Sequence, residues 1–153
     1  MRTLRGLLAA GLMGILATMA VTACTSSPST QARACTSKAK MQTSLDDLRQ
    51  AAVSNGSFEI TKANAAHVAD LLDSMRHGLT TVEGAVHLPN GTSLQQLGGV
   101  GYLRQLEGNL NALAQSLRGS GSNGRPVNYS SLNSQVMQRA AQVQRVTDAV
   151  NGC

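Results

Sequence analysis

Apolar residues recur along most of the chain at alternating three- and four-residue intervals, the period that turns one side of an α-helix toward a core. Over residues 37–54 these positions are Met41, Leu45, Leu48 and Ala52, and Asn55-Gly56 then supplies residue types suited to a left-handed stop. Over 62–82 they are Ala65, Val68, Leu72, Met75, Leu79 and Val82, with Leu71 widening the face and Thr61 placed as N-cap. Residues 83–92 contain Gly84, Pro89 and Asn90-Gly91 and read as a loop. A third helix is expected from Ser93, where Ser93 and Gln96 match a capping box. Gly98, Gly99 and Gly101 weaken its first turns. It continues through Leu103, Leu106, Leu110, Leu113 and Leu117, the most regular heptad stretch in the sequence, to Gly119. A glycine-rich loop with Pro126 follows. A fourth helix over 130–150 then runs through Leu132, Val136, Ala140, Val143, Thr147 and Val150, with Met137 and Val146 flanking. No stretch shows the two-residue alternation of a strand. The expected fold class is all-α.

The N-terminal segment has a different pattern. Arg2 and Arg5 precede an apolar run over 6–20, which ends in Val21, Thr22, Ala23 and Cys24. This resembles the signal peptide of bacterial lipoproteins, in which an aliphatic residue, two small residues and a cysteine form the lipobox. The resemblance covers roughly the first 24 residues. It implies that residues 1–23 are removed and that the Cys24 thiol carries a diacylglycerol, so that the membrane is a partner through this lipid. The address it implies is the cell envelope. With Thr25 rather than Asp after the cysteine, that means the outer membrane facing the periplasm in a host with two membranes. In other hosts it means the outer face of the cytoplasmic membrane. The apolar run is short for an uncleaved anchor and lacks a positive stop-transfer flank. Residues 24–34, rich in Ser and Thr, read as the lipidated cysteine and a flexible tether, and 35–153 as the helical domain.

Charge and composition then exclude some classes of function. The 153 residues carry a formal charge of +5, from which loss of Arg2 and Arg5 takes two units. The remaining basic residues are scattered and form no stripe, which argues against nucleic acid as a partner. The chain has two Tyr, one Phe and no Trp. Phe58, Tyr102 and Tyr129 are too few to build a stacking platform for bases or sugars.

With Cys24 assigned to lipid, Cys35 and Cys153 stand at the two ends of the helical region. In an oxidising envelope compartment they are expected to pair. An even number of antiparallel helices brings the chain back to the end where it began. Three helices would leave the two cysteines about 25–30 Å apart at 1.5 Å rise per residue, beyond the roughly 7 Å limit between bridged Cα atoms. The spacing therefore predicts an antiparallel up-down-up-down four-helix bundle closed by a Cys35–Cys153 disulfide.

The titratable residues form no recognisable catalytic constellation. His67 and His77 lie about 15 Å apart along one helix, too far to share a metal. Glu83 and His87 flank loop residues, and Asp73 with His77 reads as a surface pair at helical spacing. Gly98-Gly99-Val100-Gly101 lacks the Lys-Ser/Thr of a phosphate loop. Met41, Met75 and Met137 occupy seam positions and are expected in the core rather than on copper. No catalytic residue, metal or cofactor is assigned. The leading expectation is a non-enzymatic structural or interaction module, an adaptor or accessory lipoprotein with an envelope protein or glycan as partner. Its polar helix positions are rich in Gln (Gln42, Gln50, Gln105, Gln115, Gln138, Gln142 and Gln144). The alternative is a small-ligand carrier with an apolar cavity between helices. A third reading is self-association through the leucine face of 103–117.

Overall fold

The computed structural model describes residues 29–54, 57–119 and 127–153. Cys24, the signal segment and the first part of the expected tether lie outside them. Five helices account for most of the described chain: α1 (Thr30–Ala51), α2 (Ala65–Glu83), α3 (Thr92–Gln96), α4 (Gly99–Arg118) and α5 (Tyr129–Ala149). The helical reading holds, with differences at the element ends.

Helix α1 opens at Thr30 rather than near 37, taking in the last residues of the stretch read as tether. The Ser29 hydroxyl accepts from the Ala32 amide at 3.2 Å and caps the first turn. What holds this turn down is tertiary. Ala34 is fully buried, and Gln31 Nε2 donates to the Asn151 carbonyl at 2.7 Å, across nearly the whole length of the sequence.

Between α1 and α2, Val53–Ser54 pairs antiparallel with Ser57–Phe58, a ladder too short to show a two-residue period. Ile60 beyond it is buried, and its amide donates to Asn133 Oδ1 of α5 at 2.7 Å. Asn64 organises the entry to α2. Its Oδ1 accepts from the Thr61 amide at 2.7 Å, while its Nδ2 donates to the carbonyls of Ala51 and Glu59. The helix accordingly starts at Ala65, with Asn64 and not Thr61 at the cap position.

The loop expected over 83–92 is two 3₁₀ turns, Gly84–His87 and Pro89–Gly91, leading into α3. The buried position 91 takes glycine there, since a Cβ would run into the Ala85 and Val86 carbonyl oxygens. The third expected helix is two helices. Gly98 (φ 111°) and Gly99 (φ 60°) take left-handed backbone and separate α3 from α4. The Ser93/Gln96 capping box does not form. Gly91 is the N-cap of α3, and Ser93 Oγ instead accepts from Asn151 Nδ2 at 2.7 Å.

Helix α2 packs on both α1 and α4, and α5 packs more lightly on α4 and α1. Their shared core holds Met41, Leu45, Leu48, Val68, Leu72, Met75, Leu79, Leu103, Leu106, Leu110, Val136, Val143 and Val146, each at most 2 % exposed. Because the leucines of 103–117 are spent inside the chain, that face is not free to meet a second copy. Met137 departs from expectation: it is 45 % exposed, since the inward side of α5 is taken by Val136, Val143, Val146 and Thr147. Phe58, Tyr102 and Tyr129 lie half-buried at the margin of a core built from aliphatic side chains. Small residues let helices approach. Gly78 of α2 lies under Met41 of α1, whose sulfur would sit 2.9 Å from a Cβ at that position.

Cys35 and Cys153 form a disulfide with 5.5 Å between their Cα atoms. Around it, Lys38 Nζ donates to the Val150 carbonyl at 2.9 Å, and Gly152 takes positive φ (77°) beside Asn90 and Gln31. The start of α1, the 3₁₀ turns, α3 and the C-terminal tail thus meet at one end of the molecule.

Candidate functional site

Adjoining surface clefts follow the seam between α1 and α2. One, of about 610 Å³, is lined by Thr36, Ala39, Lys40, Thr43, Ser44 and Asp47 of α1 and by Leu71 and Ser74 of α2. A second shares Lys40 and Ser74 with it and adds Ser37, His77, Gly78 and Thr81. A third shares Asp47 and adds Gln50 and His67. The seam is open because the helices meet there through small residues. Ser37, Ser44 and Gly78 are buried in the contact, which leaves hydroxyls where larger side chains would close the surface. Ser44 Oγ donates to Ser74 Oγ at 2.9 Å, a hydroxyl pair and not a nucleophile paired with a base. The lining offers hydroxyl donors and acceptors, one lysine and one aspartate beside the apolar Ala39 and Leu71. On the other side of the molecule, a small cleft between α4 and α5 is lined by Tyr102, Gln105, Leu106, Asn109, Arg139 and Gln142.

Compared with known proteins, the chain matches no family model, no curated protein and no solved structure.

Among the described residues, the ion pairs gather mainly on α2 and α4. Arg118 reaches Asp70 at 2.7 Å and Asp73 at 2.6 Å, and Arg76 meets Asp73 at 3.2 Å. Burial works to raise the Asp73 carboxyl, but hydrogen bonds and charge from Arg118 and Arg76 outweigh it and hold it below the usual carboxylate range. Asp70 and then Asp73 hold the Arg118 guanidinium protonated still more firmly. A carboxyl depressed in the folded state contributes stability above its unfolded pKa, and that contribution is lost as pH falls through the folded value. Arg118→Ala is therefore expected to lower the urea midpoint slightly near pH 7, with a deficit that shrinks as the pH falls into the acid range. A deficit that persists unchanged at low pH would show that the arginine acts through packing of its stem instead.

The structure separates the other titratable residues singled out in the sequence. His67 and His77 are exposed on α2, and His87 is exposed on a 3₁₀ turn. Asp73 does not pair with the His77 imidazole through its carboxylate. The His77 Nδ1 instead lies 2.7 Å from the Asp73 backbone carbonyl, to which the Nδ1-protonated tautomer donates. Glu83 pairs with Arg104 of α4, not with His87. Among the described residues, no three His, Cys, Asp or Glu side chains gather as a metal site would require. Of the assigned site residues, the structure joins Cys35 to Cys153, and Cys24 lies outside the described part. The seam itself was not legible beforehand. Its hydroxyls are spread over two helices, and no spacing within either one announces that they face each other.

Of the seven glutamines singled out in the sequence, Gln42, Gln50, Gln105, Gln115 and Gln138 are exposed. The other two have internal partners. Gln142 accepts from Arg139 at 2.8 Å, while Gln144 accepts from Arg49 of α1 at 3.3 Å and donates to Asp148 at 2.9 Å.

Proposed function

We propose that the chain is a lipid-anchored envelope protein, held in the membrane through a diacylglycerol on Cys24, and that it acts as a non-enzymatic structural or interaction module. Its helical domain is read as an antiparallel up-down-up-down four-helix bundle, with α1, α2, α4 and α5 as the four helices and α3 as part of the crossing segment. The packing of α2 on α1 and α4, and of α5 on α4 and α1, supports that arrangement. So do the antiparallel ties from Glu83 to Arg104 and from Asp70 to Arg118, which join opposite ends of α2 to opposite ends of α4.

The observation that carries the reading is the disulfide. A bridge that closes the whole helical domain belongs to an oxidising compartment, the same address the lipobox implies. No helix among the described residues is long and apolar enough to cross a membrane; attachment is read from the lipobox at Cys24. The exposed glutamines and the hydroxyl-lined seam of α1 and α2 are the surfaces offered to an envelope protein or glycan.

The test is intact mass and detergent-phase partition of protein recovered from its membrane. The expected result is loss of residues 1–23, acyl mass on Cys24, and transfer of Cys24→Ser to the aqueous phase. A mature chain that keeps its N-terminal segment, or a Cys24 thiol without lipid, would sink the anchor. For the interaction role, crosslinking in membranes should recover a reproducible partner that Cys24→Ser fails to capture.

A further inference from the structure

We propose that the disulfide-closed end of the domain rests against the lipid headgroups and that the opposite end, with the short β-ladder, points away from the membrane. The inference depends on the lipid anchor proposed above and adds an orientation to it.

Two independent observations carry it. The first is length. Helix α1 is capped at Ser29, so only residues 25–28 lie between Cys24 and the folded domain. Fully extended, the five steps from Cys24 to Ser29 span at most about 18 Å. The tether expected from the sequence reached to residue 34 and would have let the domain turn freely. Because Thr30 to Ala34 are helical and Gln31 is tied to Asn151, that freedom is gone. The far end of α1 lies about 33 Å away at 1.5 Å per residue, outside the reach of so short a lead.

The second observation is charge. The anchored end is built from residues 29–35, 84–98 and 150–153. Arg33 is the one lysine or arginine among them; the two carboxylates that border them are Glu83, paired with Arg104, and Asp148, which accepts from Gln144. Five of the chain's eight acidic side chains (Asp46, Asp47, Glu59, Asp70 and Asp73) lie toward the other end, in the last turns of α1, the β-ladder segment and the first half of α2. Anionic headgroups repel carboxylates over roughly a Debye length, about 10 Å at 0.1 M salt. The end with fewer of them, where Glu83 is already paired with Arg104, is the one that lies more readily within that distance. Half-buried Leu88 and Leu97 and exposed Pro89 give this end a mildly apolar surface beside the exposed Arg33.

The absence of tryptophan makes the test clean. Full-length lipidated protein carrying His87→Trp (anchored end) or Lys62→Trp (far end) is reconstituted into phosphatidylethanolamine–phosphatidylglycerol vesicles containing dansyl-labelled headgroups. Both positions are exposed. Gln96→Trp and Gln50→Trp form a second exposed pair, should either first variant fail to fold. Energy transfer from the anchored-end tryptophan should exceed that from the far-end one several-fold. Equal or reversed transfer in protein whose mass shows the lipid overturns the orientation alone. Protein whose mass shows an unmodified Cys24 overturns the anchor and the orientation with it.

Discussion

Replacing both Cys35 and Cys153 with serine is expected to lower the unfolding free energy by about 4–5 kcal/mol on the chain-entropy model. The two cysteines are separated by 118 residues, so the bridge restricts nearly the whole unfolded domain. That loss is large against the 5–15 kcal/mol typical of single domains. It should also fall unevenly. Helix α5 buries Val136, Val143, Val146 and Thr147, a thinner apolar strip than the nine buried residues of α2. Its C-terminal end is held by the disulfide together with the bonds from Lys38 to Val150 and from Gln31 to Asn151. Without the bridge, the amides of α5 should lose hydrogen-exchange protection ahead of those in α2 and α4. Urea unfolding of the oxidised protein and the double serine variant gives the magnitude. A difference below about 1 kcal/mol would mean that the unfolded chain is already compact, or that the native bridge opposes the packing around it.

Leu72→Ala should cost about 2–5 kcal/mol. Leu72 is fully buried on α2, the helix that packs on both α1 and α4, and Val68, Met75 and Leu79 beside it are also at 0 % exposure. Truncation there opens a void bordered by two interfaces at once, and neighbours already in contact cannot collapse into it fully. The contrasting variant is Met137→Ala. At 45 % exposure it should stay within about 0.5 kcal/mol of the parent protein. The comparison tests the reassignment of Met137 from core to surface. Equal losses at the two positions would mean that α5 packs far more tightly than its buried residues indicate. Thermal or urea unfolding of the oxidised proteins measures both.

Period carried most of the core. Met41, Leu45, Leu48, Val68, Leu72, Met75, Leu79, Val82, the leucines of 103–117, Val136 and Val143 are all buried as their spacing predicts. The expected pairing of Cys35 with Cys153 is also present. Two of the departures come from contacts between residues remote in sequence, and two from local backbone chemistry. The first turn of α1 looked like tether because Ser, Thr, Gln and Ala carry no apolar stripe; its partner is Asn151. Ser93 was free to cap its own helix, but Asn151 engages it instead. Asn64 closes the turn before α2 through two backbone carbonyls and one amide, a role that neither hydropathy nor spacing encodes. At Gly98 and Gly99 the residue type signalled weakness, but not that the chain would break there into two helices. The candidate surface was the least legible part. A groove needs two helices side by side, and its lining residues are unremarkable in either sequence alone.

The bridge has a further consequence in a compartment populated by proteases. Cys35 and Cys153 enclose nearly all of the folded chain within one covalent ring. A single peptide-bond cut anywhere inside that ring opens the ring but releases no fragment. The segment joining α4 to α5 could be nicked and the two pieces would still travel as one molecule, able to re-pair with their own helices at the effective concentration of neighbours on a short link. Only a second cut, or a reductant, turns such a nick into a loss. The same closure that stabilises the fold thus makes the first proteolytic event survivable.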